Sequence, residues 1–160
     1  MNVERKILRA YRKVLSRDRH LLVSDANERS ITHCFAIYLR REFPEYDVDC
    51  EYNRNGLDVK KLTRFVKSLG SDDTKGSTVY PDIIIHHRGT NDNYVVLEAK
   101  KISSTLTHES GNSCPCDECK LRLYKSELGY HHAFFVKFPI EEKLKKFSDG
   151  NIAEYIKEIN

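Results

Sequence analysis

The chain has 160 residues, 39% of them hydrophobic and 32% charged, with a formal net charge of +3 and a pI of about 8.5. This is the composition of a soluble globular protein, long enough for one hydrophobic core and too short for a second large domain. No apolar run approaches the roughly 20 residues that span a bilayer, and the N-terminus, Met1-Asn2-Val3-Glu4-Arg5-Lys6, has no signal-peptide core; no membrane partner is expected, and the cytoplasm is the expected compartment.

Residues 1–24 are predicted to form a basic N-terminal helix. Val3, Ile7, Leu8, Tyr11, Val14 and Leu15 recur at helical spacing, and residues 1–20 hold seven basic side chains against two acidic ones. A second helix starts at an Asp25 or Asn27 cap and runs to about Phe43, before Pro44. Its core face carries Ile31, Cys34, Phe35, Tyr38 and Leu39, and Glu28 shares that phase. A carboxylate there either faces the core side, where it needs a partner, or serves the positive end of the helix dipole. Residues 46–52 alternate and read as the first strand, with Val48, Cys50 and Tyr52 on one face. Residues 58–69 read as another basic amphipathic helix. Leu62, Phe65, Val66 and Leu69 would be buried; Lys60, Lys61, Arg64 and Lys67 would form a wet face able to meet phosphates. A Gly- and Asp-containing loop over 70–76 leads to two apolar strands, Tyr80–Ile85 and Tyr94–Lys100, joined by the turn Arg88-Gly89-Thr90-Asn91-Asp92-Asn93. A helix over 117–129 turns Leu121, Tyr124 and Leu128 inward, a strand over 132–138 stops at Pro139, and 140–160 forms a C-terminal helix or two.

Chemistry concentrates in the strand pair. Asp82 and Glu98 are each eight residues from Thr90, so a hairpin centred there sets them opposite each other. Glu98 and Lys100 share a face because side chains alternate along a strand. Two carboxylates held together call for a cation between them, and hard cations such as Mg²⁺ take oxygen ligands. The bland alternative is a solvated hairpin carrying a cross-strand ion pair.

The residues Pro81-Asp82 and Glu98-Ala99-Lys100 resemble the signature of the PD-(D/E)XK, or restriction-endonuclease-like, nuclease superfamily. The likeness extends over residues 27–139 in the order helix, strand, strand, strand, helix, strand. It implies an α/β fold with a restriction-endonuclease-like core, a mixed four-stranded sheet flanked by helices. It implies metal-dependent phosphodiester hydrolysis, DNA favoured over RNA. Asp82, Glu98 and the Ala99 carbonyl would hold Mg²⁺ or Mn²⁺, Lys100 would orient the attacking water, and Glu28 matches an acidic position on the helix before the sheet. Asp117, Lys120-Leu121 and Tyr124 resemble the family's helix after the motif. Lys101 and Lys120 join Lys60, Lys61, Arg64 and Lys67 as candidate nucleic-acid contacts. Target reading by a single small domain would call for a homodimer or a partner subunit.

Five cysteines remain. Cys34 and Cys50 fall on apolar faces and read as buried thiols. His108, Cys114, Cys116 and Cys119 offer a Cys₃His set for Zn²⁺, although the spacing is short and the commoner reading is free or oxidised thiols. Two rivals to a nuclease therefore stand: a non-catalytic nucleic-acid-binding or assembly module with the same fold, and a zinc-stabilised interaction domain.

Overall fold

The computed structural model describes residues 2–55, 58–62, 77–102 and 117–160. Helix α1 spans Val3–Arg17, α2 Arg19–Val23 and α3 Glu28–Glu42; strand β1 spans Asp47–Cys50. Four two-residue strands follow: β2 (Arg54–Asn55), β3 (Asp58–Val59), β4 (Lys61–Leu62) and β5 (Ser77–Thr78). Then come β6 (Ile83–His86), β7 (Asn93–Ile102), α4 (Asp117–Leu128), β8 (His132–Pro139), α5 (Glu141–Lys146), a 3₁₀ turn over Asp149–Glu154, and β9 (Ile156–Glu158). Among the described residues no helix is long and apolar enough to cross a membrane.

The helices begin and end where local chemistry directs. The Asn2 side chain accepts from the Glu4 amide, and the Asn27 side chain accepts from the Ser30 amide, each satisfying an amide that a helix start leaves open. Asp18 interrupts the N-terminal helix and divides it into α1 and α2. Gly129, at φ +70°, closes α4 in the left-handed conformation that glycine adopts without strain.

The sheet is mixed and five-stranded, in the order β1-β6-β7-β8-β9. All neighbours are antiparallel except β7 and β8, which run parallel. A parallel pair needs a long crossover, and α4 lies on it. Strand alternation feeds two separate apolar layers. Ile83, Ile85, Val95, Leu97, Phe134 and Val136 pack under α1 and α3, while Ile84, Val96 and Ala133 pack under Leu121 and Tyr124 of α4. The first layer is anchored by aromatics: the Tyr11 ring stacks on Phe138 at 5.1 Å, Phe35 meets Phe138 edge-on at 5.4 Å, and the Tyr11 hydroxyl donates to the Lys137 carbonyl at 2.7 Å.

The sheet has five strands rather than the expected four because β9 replaces part of the predicted C-terminal helix. Ile152, Tyr155, Ile156 and Ile159 have helical spacing, but β8 would otherwise be an open edge. Residues 156–158 pair with it, and the Ile159 amide donates to the Ala133 carbonyl at 2.8 Å. The predicted helix over 58–69 is also corrected: its described part is strand. The Lys60 amide donates to the Asn53 carbonyl at 2.6 Å, the Val79 amide donates to the Lys60 carbonyl at 3.2 Å, and β4 pairs with β5. Lys60 is therefore buried rather than on a wet face; Lys61 is exposed, and Arg64 and Lys67 lie outside the described residues. Just after β1, Glu51 at φ +49° breaks the alternation, so Val48 enters the layer under α3 while Tyr52 packs on the opposite layer; Cys50 is exposed instead of buried. Cys34 is half-buried.

Lys60 is held between the Tyr52 and Tyr130 rings, 5.2 and 5.4 Å from their centroids, and its Nζ has no hydrogen-bond acceptor among the described residues. Burial lowers its pKa to about 8, against a smaller opposing pull from Asp49. A buried ammonium without an acceptor is destabilising, and ring attraction offsets only part of that. Since the folded pKa lies below the ordinary value of 10.5, the penalty is complete below about pH 8 and fades as pH rises toward 10.5. Lys60→Met is expected to stabilise the protein by about 1–3 kcal/mol at pH 7, with the gain shrinking above about pH 8. Chemical denaturation of both proteins at pH 7 and pH 10 measures this; equal stability at pH 7 would contradict it.

Candidate active site

The β6–β7 register assembles the acid pair. Ile83 pairs with Leu97, Ile84 with Val96 and Ile85 with Val95. Extending that ladder by one residue sets Asp82 across from Glu98, on the face that carries Ile84 and Val96 and that α4 covers. The irregularity of the hairpin lies at its other end, between Ile85 and His86, and leaves this register intact.

Each acid is held by its own donors. The Ala99 amide donates to Asp82 Oδ2 at 2.8 Å. The Tyr124 hydroxyl donates to Glu98 Oε1 at 3.1 Å. Glu98 is buried and Asp82 half-buried. Burial raises the Glu98 pKa to about 8, with the Asp82 charge adding to the shift and Lys120 and the Tyr124 hydroxyl opposing it. Burial also raises Asp82, opposed by the Ala99 amide and reinforced by Glu28. Two carboxylates this close do not both ionise readily near neutral pH unless a positive charge joins them.

Glu28 lies in the first turn of α3 and points to the sheet. Its Oε2 accepts from the Lys101 amide at 2.9 Å, and its charge acts on Asp82. The phase argument thus locates Glu28 beside the strand pair rather than in bulk solvent. Glu28 and Asp82 line one pocket of about 390 Å³, together with Arg29, Thr32, His33, Cys50 and Glu51.

The lysines divide. Lys100 follows Glu98 on the same face and is exposed; its Nζ is 3.9 Å from Asp117 Oδ2. Lys120, on α4, is 3.5 Å from Asp117 Oδ1 and close enough to Glu98 and Asp82 to favour their charged forms. Lys101 turns to the other face. Its amine is 2.6 Å from Asp25 Oδ1 and 2.9 Å from the Ala26 carbonyl, so it ties the sheet to the loop before α3. Of the zinc candidates, Cys119 is half-buried on α4, while His108, Cys114 and Cys116 lie outside the described residues.

The sequence pattern turns Tyr124 inward and places Asp117 and Tyr124 on the helix that resembles the one after the motif, but assigns no task to the Tyr124 hydroxyl or the Asp117 carboxylate. Their spacing carried the signal: Asp117, Lys120 and Tyr124 stand at i, i+3 and i+7, one stripe of the helix covering the sheet. Arg29 and Glu51, which also line the pocket and pair at 2.9 Å, had no sequence pattern to reveal them, because they come from separate elements joined only by the fold.

The donor set suits a hard divalent cation: two carboxylates face each other across the strand pair, burial raises the pKa of both, and each offers oxygen ligands. Asp82 and Glu98 are the residues to hold it, with the Ala99 carbonyl as a further candidate. Among the described residues no group of three or more His, Cys, Asp or Glu side chains forms a ready metal cluster. No family model matches the chain, and no curated protein or solved structure matches it.

The raised carboxyl pKa values give the stability a definite pH dependence. Glu98 binds its proton more tightly in the folded state, so folding is favoured below the unfolded value near 4.5 and loses that advantage as pH rises to about 8. A shift of this size is worth on the order of 5 kcal/mol. Denaturation in EDTA from pH 5 to pH 9 is expected to show a falling stability for wild type and a flatter profile for Glu98→Gln. Parallel profiles would show that Glu98 is not the group responsible.

Proposed function

We propose that the protein is a metal-dependent phosphodiesterase, a nuclease acting on DNA in preference to RNA through a restriction-endonuclease-like core. The observation that carries this reading is the Asp82–Glu98 pair: two adjoining acids on one sheet face, both with raised pKa, followed two residues later by an exposed lysine. A purely structural strand pair gains nothing from such an arrangement, since apolar side chains would fill the site at lower cost.

Each chain residue has a defined task in this reading. The Ala99 amide and the Tyr124 hydroxyl fix the two carboxylates, limiting reorganisation when charge develops. Mg²⁺ or Mn²⁺, when bound, would polarise the phosphate and lower the pKa of a coordinated water. Lys100 directs a donor to the attacking water or to the phosphate, and Lys120 balances the negative charge from the α4 side. Glu28 bonds the Lys101 amide and so fixes the end of β7 that follows Lys100. One such site cleaves one strand, and a double-strand cut would require a homodimer or a partner subunit. A non-catalytic nucleic-acid-binding module is the rival reading, and it leaves the acid pair without a task.

Nicking of supercoiled plasmid is the direct test. Wild type is expected to nick in Mg²⁺ or Mn²⁺ and not in EDTA; Asp82→Ala and Lys100→Ala are expected to lose on the order of 100-fold or more in rate. Thermal unfolding supplies a second readout: Mg²⁺ at a hundred times its Kd is expected to stabilise wild type by about 2.7 kcal/mol and Asp82→Ala far less. Plasmid binding without nicking in either metal would favour the non-catalytic module.

A further inference from the structure

The pocket beside Asp82 has a feature that the hydrolysis reading does not use. Arg29 Nε is 2.9 Å from Glu51 Oε1, joining the first turn of α3 to the segment after β1. Both residues line the pocket together with Glu28 and Asp82. The Arg29 side chain is 85% exposed, which frees it to exchange partners, and an ion pair this exposed is weak. Glu51 is differently constrained. Its φ is +49°, a conformation that disfavours a glutamate, and its amide donates to the Asp82 carbonyl at 3.3 Å. The backbone thus tethers Glu51 to the candidate metal-binding acid and sets its carboxylate against a guanidinium.

A guanidinium binds carboxylate and phosphate with the same fork of donors. Glu28 and Asp82 make one wall of the pocket acidic, so an anion fits only at the Arg29 side, and best when a cation has neutralised the acid pair. We propose that this pocket receives a backbone phosphate of the substrate strand next to the scissile one, that Arg29 clamps it, and that Glu51 occupies Arg29 until the phosphate displaces it. The proposal rests on the phosphodiesterase reading and assigns Arg29 and Glu51 as positioning residues. Glu51 acts as a built-in competitor: it lowers affinity for any single phosphate and keeps Arg29 aligned at the pocket.

A double-mutant cycle tests this. Binding of a short fluorescein-labelled duplex is followed by anisotropy in Ca²⁺, and nicking kinetics are measured in Mg²⁺, for wild type, Arg29→Ala, Glu51→Gln, the double variant and Arg29→Lys. Arg29→Ala is expected to raise Kd and KM about fivefold with kcat nearly unchanged, and to reduce the slope of log Kd against log salt by about one. Arg29→Lys is expected to fall between, since it keeps the charge and loses the fork. Glu51→Gln is expected to lower Kd about twofold to threefold, an effect that vanishes when Arg29 is already alanine. If Glu51→Gln tightens binding equally with and without Arg29, Glu51 is a general repulsive charge and the competitor is overturned. If Arg29→Ala leaves both the salt slope and KM unchanged while wild type binds and nicks, the clamp is overturned and the hydrolysis reading stands. Failure of wild type to bind the duplex overturns both. Melting temperatures within about one degree of wild type, expected for such exposed side chains, confirm that the variants are folded.

Discussion

The pairing of Ile83 with Leu97 is the constraint on which the site depends. A slip by one residue would exchange the two faces of β7. Glu98 would enter the aromatic layer beneath α1 and α3, and Val95 and Leu97 would face α4. The apolar side chains on both faces of β6 and β7 make such a slip costly, because each face already has a packed layer waiting for it. The same hydrophobic energy that builds the core therefore brings Asp82 and Glu98 together, although their mutual repulsion opposes it.

This opposition is relieved locally. Asp82 receives a backbone amide from the very strand that carries Glu98, and Glu98 receives a hydroxyl from the helix that covers it. Lys120 adds positive charge from α4, and Asp117 stands between Lys120 and Lys100. Negative and positive groups thus alternate from the sheet outward. The remaining imbalance appears as a Glu98 pKa near 8 rather than as a displaced side chain, since the rotamer is held by packing on either side. A charged ligand would find the carboxylates already aligned, which is the physical meaning of preorganisation.

The opposite end of the hairpin is stabilised differently. Tyr46 stacks on Tyr94 and on His87, each with centroids 4.6 Å apart, and Asp49 accepts from Arg88 while lying 2.9 Å from His86. Asp49 stays below the ordinary carboxylate range: its bonds to Arg88 and His86 outweigh the desolvation that would raise it. The β1 acid and the hairpin acids are shifted in opposite directions: Asp49 has bonds to Arg88 and His86 that outweigh its desolvation, whereas burial dominates at Glu98 and Asp82 and their mutual charge adds to it at Glu98. Proximity to Asp49 also explains why Lys60 tolerates burial without a direct acceptor.

The amino-acid pattern alone determined a good part of this. Alternation in β6 and β7 and the position of the Arg88–Asn93 turn specify the register, and with it the Asp82–Glu98 pair; the helical phase of Ile31 and Phe35 specifies that Glu28 turns to the sheet. These are local or near-local relations, which periodicity encodes. What the tertiary structure decided depends on partners distant in the chain. Residues 58–62 became strand because Asn53 and Val79 bond the backbone of Lys60, and residues 156–158 became strand because β8 presented an open edge. Lys101 is tied to the loop before α3 because Asp25 lies within its reach, and Tyr124 bonds Glu98 because the crossover from β7 to β8 laid α4 over that face. Amphipathic spacing says which side of a segment seeks burial, but the identity of the surface that buries it, and the polar groups found there, arise only when the chain closes on itself.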